Sequence, residues 1–473
     1  MQQIPLSDLP VIPGRLVEWL PTLPKHRSEA HRRATFNQQK HFAAALLARE
    51  EKAPGTNWNG VTFTIPGQLD EEALEKAFNV FVHRHEVLQC TFEPHEDGLR
   101  CHRIQDSDLV LERSQLGWFA SCDTLLQYLE GRFNAAFSPL SWPLIRMGAV
   151  IAEPQTTVYV VCDHIVGDGM SLVIAVNEVQ TVYAALTRGE PVVLPEVGSY
   201  LDFGALQRER YAGIDARSPE LDFWRRFMAG QHGRLFPRLP LEFGVKDGEA
   251  DYPSANETIQ LLDDEQATRL EALSRQYEGK FFMSLLAAVA IALREMSGIQ
   301  EYRGLMPIAE RKDPRWASAF GWFVNMIPIQ FAVTGESFAD VLAAAKTGFA
   351  ESIAHVDVPL VKAWEHLEPD TYRRRSLPYP MNFFSFIDFR KVPGAEHYRV
   401  WSPNTIVHLS HSNSGNIWLY RNDDGTFLHA LFAQTALSRR SMDVYRKTIR
   451  RVLCNLIEEP DRMAMNLTCS KHK

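Results

Sequence analysis

The stretch Val158-Tyr159-Val160-Val161-Cys162-Asp163-His164-Ile165-Val166-Gly167-Asp168-Gly169-Met170-Ser171-Leu172 decides how this chain is read. Residues 158–162 are continuously apolar and rich in valine, which predicts a short strand buried on both faces. Beyond Gly169, the residues Leu172, Val176, Val179, Tyr183 and Leu186 fall at helical spacing. The layout is strand, short loop, helix, and His164 stands in the loop. A histidine of near-neutral pKa accepts a proton from an alcohol or amine as that group attacks a carbonyl, provided the ring is neutral. The positive end of the following helix dipole lies near residues 168–171 and disfavours an imidazolium pointed at it. Gly167 and Gly169 permit a tight turn and close backbone approach to a ligand.

Asp168 has three readings. It can orient the imidazole as in a serine hydrolase, but the chain has no G-x-S-x-G elbow. The two structural readings are stronger: an N-cap of the helix, or the buried partner of an arginine that holds the loop in shape.

Outward from the loop, the patterns alternate between helix and strand. A helix is expected over residues 35–51. Asp70 reads as the N-cap of a helix through Leu74, Ala77, Phe78 and Phe81 that ends at Arg84-His85-Glu86-Val87-Leu88, with a strand resuming at Thr91-Phe92. Pro5, Pro10, Pro13, Pro21 and Pro24 predict an extended lead-in rather than a packed element. Residues 187–195, with Gly189, Pro191 and Pro195, mark a boundary, giving an N-terminal lobe over 1–188 and a C-terminal lobe over 189–473. In the second lobe a buried helix is expected over 281–293, a strand opening over 321–328, strands near 381–387 and 417–420, and a last helix over 441–458. The class is α/β, with α+β-like mixed sheets.

Composition narrows the field. The chain has 473 residues, 45% hydrophobic and 23% charged, with a net charge of −8 and no long basic run. Neither nucleic acid nor a membrane surface is expected as a partner. No apolar stretch is long enough to span a bilayer, and the first residues lack the pattern of a signal peptide. Cys90, Cys101, Cys122, Cys162, Cys454 and Cys469 include no C-x-x-C pair, which fits a cytoplasmic chain with neither a disulfide framework nor a zinc site.

The segment Asp163-His164-x-x-x-Asp168-Gly169 resembles the H-H-x-x-x-D-G signature of the condensation-domain superfamily. That superfamily includes nonribosomal peptide condensation domains and polyketide-associated (Pap) acyltransferases. Arg84-His85-Glu86-x-Leu88 resembles its R-H-x-x-L-R segment, with Gln89 in place of the last arginine. Gly321-x-Phe323-Val324-Asn325-x-x-Pro328 resembles its G-x-F-V-N-x-x-P segment, and Arg311 falls where these proteins carry an arginine. Gly198-Ser199-Tyr200-Leu201-Asp202-Phe203 looks like the Pap acyltransferases that esterify trehalose in actinobacteria.

The resemblance implies two chloramphenicol acetyltransferase-like lobes with a tunnel between them. It makes His164 the general base, and Asp168 a structural partner of Arg311. Gly169 would leave room for the reacting carbonyl, and Trp322 and Asn325 would lie on the second-lobe wall of the tunnel. Phe383 and Ser385 line an acyl or acceptor channel or belong to a plain buried strand. The first histidine of the signature is Asp163 here, which is expected to pair or pack structurally.

The implied reaction moves an acyl group from a CoA or acyl-carrier-protein thioester to a hydroxyl of a sugar, lipid or polyketide-type acceptor. No tightly bound cofactor or metal is expected. The carrier protein and a small-molecule acceptor are the expected partners, and the protein itself a monomer. A free-standing amide-forming condensation enzyme and a non-catalytic docking platform are the alternatives.

Four other features have plainer readings. His83 and His85 suggest a metal pair but lack a third ligand, so satisfied structural histidines are favoured. His408 and His411 are expected in the core or on the surface, and Cys162 in the core. Arg373-Arg374-Arg375 reads as a solvated loop that can also greet a phosphate of the donor.

Overall fold

The strand that carries the signature, Gln155–Asp163, lies inside a seven-stranded sheet. The computed structural model describes residues 1–22, 31–51, 57–104, 109–230, 232–245, 252–335, 337–355, 357–374, 381–409 and 411–458. Asn57–Pro66 and Ile145–Ile151 flank that strand antiparallel, and every residue from Thr156 to Asp163 is buried. A strand enclosed on both sides and both faces needs the unbroken apolar run seen in the sequence.

The helix Gly169–Arg188 follows after a five-residue loop and packs its apolar stripe into the same core. It is long and apolar enough to cross a membrane, yet 67% of its apolar window is buried inside the fold, so it is a core helix. It ends on Gly189 in the left-handed region (φ 67°), a conformation glycine adopts at no steric cost.

In spatial order across the sheet the strands are Gln2–Ile4, Asn404–Leu409, Asn57–Pro66, Gln155–Asp163, Ile145–Ile151, Arg15–Pro21 and Leu111–Trp118. Two findings depart from expectation. The proline-rich N-terminus does not remain an unpacked lead-in, because Gln2–Ile4 and Arg15–Pro21 are both sheet strands. Prolines do favour extended backbone, but they frame Arg15–Pro21 rather than interrupt it, and Leu16, Val17 and Trp19 are fully buried. The sheet also draws Asn404–Leu409 from far beyond residue 188, pairing it with Asn57–Pro66.

Arg15–Pro21 brings a buried charge with it. Glu18 is fully buried and receives Arg132 (3.0 Å), Arg146 (2.9 Å) and the Tyr159 hydroxyl (3.1 Å). Gly148, directly opposite Tyr159 in the register, makes room for that ring: a Cβ there would lie 2.3 Å from it.

A second sheet orders Phe384–Asp388, Gly415–Asn422, Gly425–Ala433, Tyr252–Asp263 and His411–Ser412. It shares a separate hydrophobic core with the helices Phe281–Ser297 and Ala436–Glu458. Phe281–Ser297 is the buried helix expected from the apolar run, with residues 284–293 enclosed throughout. Glu301–Ala309 and Val324–Ala332 form an antiparallel pair, and the loop between them reaches back to the first core through Phe320, Trp322 and Phe323. That loop meets the signature.

Candidate active site

His164 is half-buried, and its Nδ1 lies 2.8 Å from the carbonyl oxygen of Gly167. A carbonyl oxygen only accepts, so Nδ1 carries the hydrogen and Nε2 holds the lone pair. Gly167 must be glycine for this turn, since a Cβ would sit 2.8 Å from Phe320 and 3.1 Å from Cys162 Sγ. Burial, and next the neighbouring His41, hold the His164 pKa below its ordinary value. The Gly167 carbonyl and Asp163 pull the other way without reversing the shift. The ring is therefore neutral near pH 7, as a base must be.

Trp322 stacks on the imidazole with ring centroids 4.0 Å apart and planes 22° from parallel. His41 sits edge-on to the indole at 5.7 Å and 6.3 Å from His164.

Asp168 fills both structural roles at once. Its Oδ1 accepts the Ser171 backbone N–H at 2.9 Å, capping the helix, and its two oxygens take Arg311 in a bidentate pair at 2.8 and 2.9 Å. The Ser171 hydroxyl (2.9 Å) and the Phe323 N–H (3.0 Å) complete its coordination. Burial pushes this carboxyl up, but Arg311 and the Ser171 hydrogen bonds outweigh it and leave the pKa below the usual carboxylate range. Arg311 also stacks on the Phe323 ring at 4.5 Å. The aspartate thus ties the signature loop to the 311–323 loop and turns its oxygens away from the imidazole.

Asp163, the departure from the signature, is buried and accepts His41 Nε2 at 2.9 Å and the Ile165 N–H at 2.8 Å. Gly169 is exposed, and the nearest atom to a Cβ there is Ile387 Cδ1 at 4.0 Å, which leaves open space at the start of the helix.

The remaining candidates lie apart from the base. Asn325 is buried, with its side-chain oxygen accepting Met326 N–H (2.7 Å) and Leu360 N–H (3.1 Å), and so anchors the start of the helix Leu360–Leu367. Phe383 packs against Trp418 at 5.4 Å, and Ser385 is buried in the strand Phe384–Asp388. Among the described residues no hydrogen bond or ring contact joins these three to His164.

The early motif is structural. His85 and Arg84 both grip Glu178 of the signature helix, at 2.8 and 3.1 Å, and the Phe320 N–H points at His85 Nδ1 (3.3 Å). His83 bonds its own helix at Asn79. Ser199 caps Tyr200–Arg210, and the Tyr200 hydroxyl donates to the Trp322 carbonyl at 3.1 Å, so the trehalose-type segment braces the Trp322 loop. His408 stacks flat on Trp58 (5.1 Å), where burial and His411 lower its pKa to about 4. Cys162 is a core thiol whose pKa burial pushes well up. Arg373 lies in the helix Pro369–Arg374, whereas Arg375 lies outside the described residues, as does Cys469.

The model of the condensation-domain family matches residues 34–468. The chain belongs to the condensation-domain family. Acyltransferase PapA3 of Mycobacterium tuberculosis is 27% identical over 470 residues, covering 96% of both chains. The M. tuberculosis 2'-acyl-2-O-sulfo-trehalose (hydroxy)phthioceranyltransferase PapA1 is 27% identical over 94% of this chain and 87% of its own. The solved PapA2 acyl transferase superposes with a TM-score of 0.85 at 21% identity, covering 97% of this chain and all of that one. The fold is that of the chloramphenicol acetyltransferase-like condensation domains, and the chain is an acyltransferase of Pap type.

Within this family site, sequence reasoning missed Ser171, Glu178 and above all His41. Glu178 and Ser171 lie within the apolar pattern of the signature helix, and His41 in a helix whose buried positions also include Gln38 and Lys40. Hydrophobic periodicity is blind to a buried face built from polar groups.

Proposed function

We propose that this condensation-domain protein transfers an acyl group from a thioester, on CoA or on the phosphopantetheine arm of an acyl carrier protein, to a hydroxyl of a sugar, lipid or polyketide-type acceptor. The observation that carries this reading is the fixed tautomer of His164: Nδ1–H is engaged by Gly167 and leaves a basic Nε2 on a neutral ring. The acceptor hydroxyl attacks the thioester carbonyl while Nε2 takes its proton. The tetrahedral oxyanion collapses, the C–S bond breaks, and the thiolate recovers the proton from His164. No covalent enzyme intermediate enters the cycle.

The hydroxyl acceptor is supported by PapA1, whose name specifies a trehalose derivative, and by the likeness of Gly198–Phe203 to trehalose-esterifying Pap acyltransferases. In this reading donor and acceptor reach His164 through a tunnel between the lobes 1–188 and 189–473, the strand Asn404–Leu409 being lent back to the first lobe. Trp322, Asn325, Phe383 and Ser385 belong to its second-lobe wall, and the open space at Gly169 receives the carbonyl. We place the enzyme in the cytoplasm as a monomer without a resident cofactor or metal. Five described cysteines, three of them buried, are unbridged, which fits a reducing compartment.

Membership of the condensation-domain family also favours a second reading, in which an amine attacks and an amide forms. One thioester donor offered to competing alcohol and amine acceptors separates the two. The central test is His164→Ala, read by thiol release from an acyl-CoA. A fall of about a hundred- to ten-thousand-fold in turnover is expected for loss of a positioned base. Wild-type turnover in a folded His164→Ala protein would exclude the mechanism.

A further inference from the structure

The helix Phe36–Glu50 is fastened to both halves of the site. Gln38 donates to the Ile165 carbonyl at 2.9 Å on the signature loop, and Asn37 donates to the Val324 carbonyl at 2.8 Å, two residues past Trp322. One turn beyond Asn37, on the same side of the helix, stands His41. Its Nε2 meets the buried Asp163 carboxylate at 2.9 Å, and its ring meets the edge of Trp322, whose face lies on His164. Both members of the pair are almost fully enclosed, at 7% and 2% exposure.

A carboxylate buried next to a catalytic imidazole stabilises the imidazolium, which is the wrong form for a base. This chain has a carboxylate where the family signature has a histidine, and it also places an imidazole from another element directly on that carboxylate. We propose that His41 is a positioning residue of the acyl-transfer site. Bonded to Asp163 and edge-on to Trp322, it offsets the carboxylate's pull on His164 and holds the indole flat against the base. The proposal rests on the reading of His164 as the base.

The titratable groups around the His164 ring make the signs definite. From the helix Phe36–Glu50 comes His41, which disfavours the imidazolium, and from the end of the strand Gln155–Asp163 comes Asp163, which favours it. Asp168 is already neutralised by Arg311 from the 311–323 loop, and the Cys162 thiol stays protonated in the strand. Glu310 is raised by burial to about 7, but its carboxyl accepts from Gln207 rather than from His164. Removing His41 therefore moves the His164 titration to higher pH, and neutralising Asp163 moves it to lower pH. A packing role alone gives no reason for opposite signs.

The experiment is a pH titration of ring-labelled histidine by NMR on the full chain, with the His164 signal assigned by its loss in His164→Ala. The acid limb of kcat/KM is recorded in parallel. His41→Phe keeps a ring beside Trp322 and is expected to shift both readouts upward by on the order of one pH unit. Asp163→Asn, close to isosteric, is expected to shift them downward. His41→Gln keeps a donor for Asp163 and falls between wild type and His41→Phe. Unmoved titrations in His41→Phe and Asp163→Asn, or shifts of the same sign, would overturn the proposal. If His41→Phe does not fold, Asp163→Asn and His41→Gln still decide it. Turnover retained by His164→Ala refutes the proposed function instead, and the ring titration still reports on the pair.

Discussion

Asp163, the last residue of its strand, and Asp168, the last of the loop that follows, are both buried carboxylates, yet they are held in opposite ways. Asp168 takes donors from three places: Arg311 twice, Ser171 twice, and the Phe323 backbone. Its charge is matched by a guanidinium that cannot deprotonate, so the link it makes between the signature loop and the 311–323 loop is permanent. Asp163 has one backbone donor and one imidazole. Its imidazole partner touches the ring stack on His164. Five residues apart, Asp168 is a brace and Asp163 a neighbour of the base. The difference teaches that a carboxylate next to a catalytic histidine has to be read from its donors, not from its spacing.

Breaking the brace gives the largest effect. Asp168→Ala strands a guanidinium that is 6% exposed, and Arg311→Ala strands the carboxylate. Each is expected to cost about 3–5 kcal/mol in unfolding free energy and to abolish turnover. The double variant costs less than the sum of the singles, because no unpaired charge remains, and a denaturant double-mutant cycle measures that coupling. Asp163→Ala costs less than Asp168→Ala, because it strands one imidazole and one backbone N–H rather than a guanidinium and the donors gathered with it. Acid separates them further. The Asp168 carboxyl is held below the usual range, so its stabilisation is present above the unfolded value near pH 4 and is lost as pH falls through the depressed folded value. Asp168→Ala therefore flattens the acid limb of the stability curve.

How much of this could be read in advance follows the same division. The strand Gln155–Asp163 and the helix Gly169–Arg188 were legible because local apolar patterns fix them, and the N-cap role of Asp168 is equally local. Its pairing with Arg311 was not visible in spacing, since 143 residues separate the two, and it came through the family resemblance. The proline-rich start was read correctly as extended and wrongly as unpacked. Whether an extended segment becomes a strand depends on partners such as Gly148 and Arg113, which lie about a hundred residues away. His41 was illegible because nothing in its own helix distinguishes it; only the folded chain brings it to Asp163. Asn325 shows the converse, a family-motif residue whose oxygen is already engaged by two backbone donors.

The two glycines of the loop sharpen the contrast at smaller magnitude. Gly167→Ala drives a methyl into Phe320, which is itself wedged against Phe81 (5.5 Å) and His85 (5.9 Å) and cannot yield freely. A cost of about 1–3 kcal/mol is expected, with a larger proportional loss of kcat because the displaced carbonyl is the one that sets the His164 tautomer. Gly169→Ala meets only Ile387 at 4.0 Å and stays within about 0.5 kcal/mol of wild type. If the reacting carbonyl uses that space, Gly169→Ala loses kcat/KM at unchanged stability. Thermal unfolding beside steady-state kinetics reads both variants.

A smaller effect than loss of the brace comes from one hydroxyl. Ser171 Oγ donates at 2.9 Å to Asp168 or at 2.8 Å to the Gly321 carbonyl, and it accepts the Gly321 N–H at 3.0 Å. Ser171→Ala leaves the capping backbone N–H and the Arg311 pair in place, so the brace survives. What it removes is the hydroxyl's own contacts with Asp168 (2.9 Å) and Arg311 (3.1 Å) and the link to Gly321, the residue before Trp322, and it leaves the buried Gly321 N–H without its acceptor at a cost of about 1–2 kcal/mol. The Trp322 loop is still held by Tyr200 and by the Phe323 N–H on Asp168, so turnover is expected to fall less than tenfold. If Ser171→Ala instead matches Asp168→Ala in both stability and rate, the carboxylate is not the centre of the brace. The hydroxyl, shared between helix and loop, then takes that role, and the distinction between the two aspartates has to be redrawn around it.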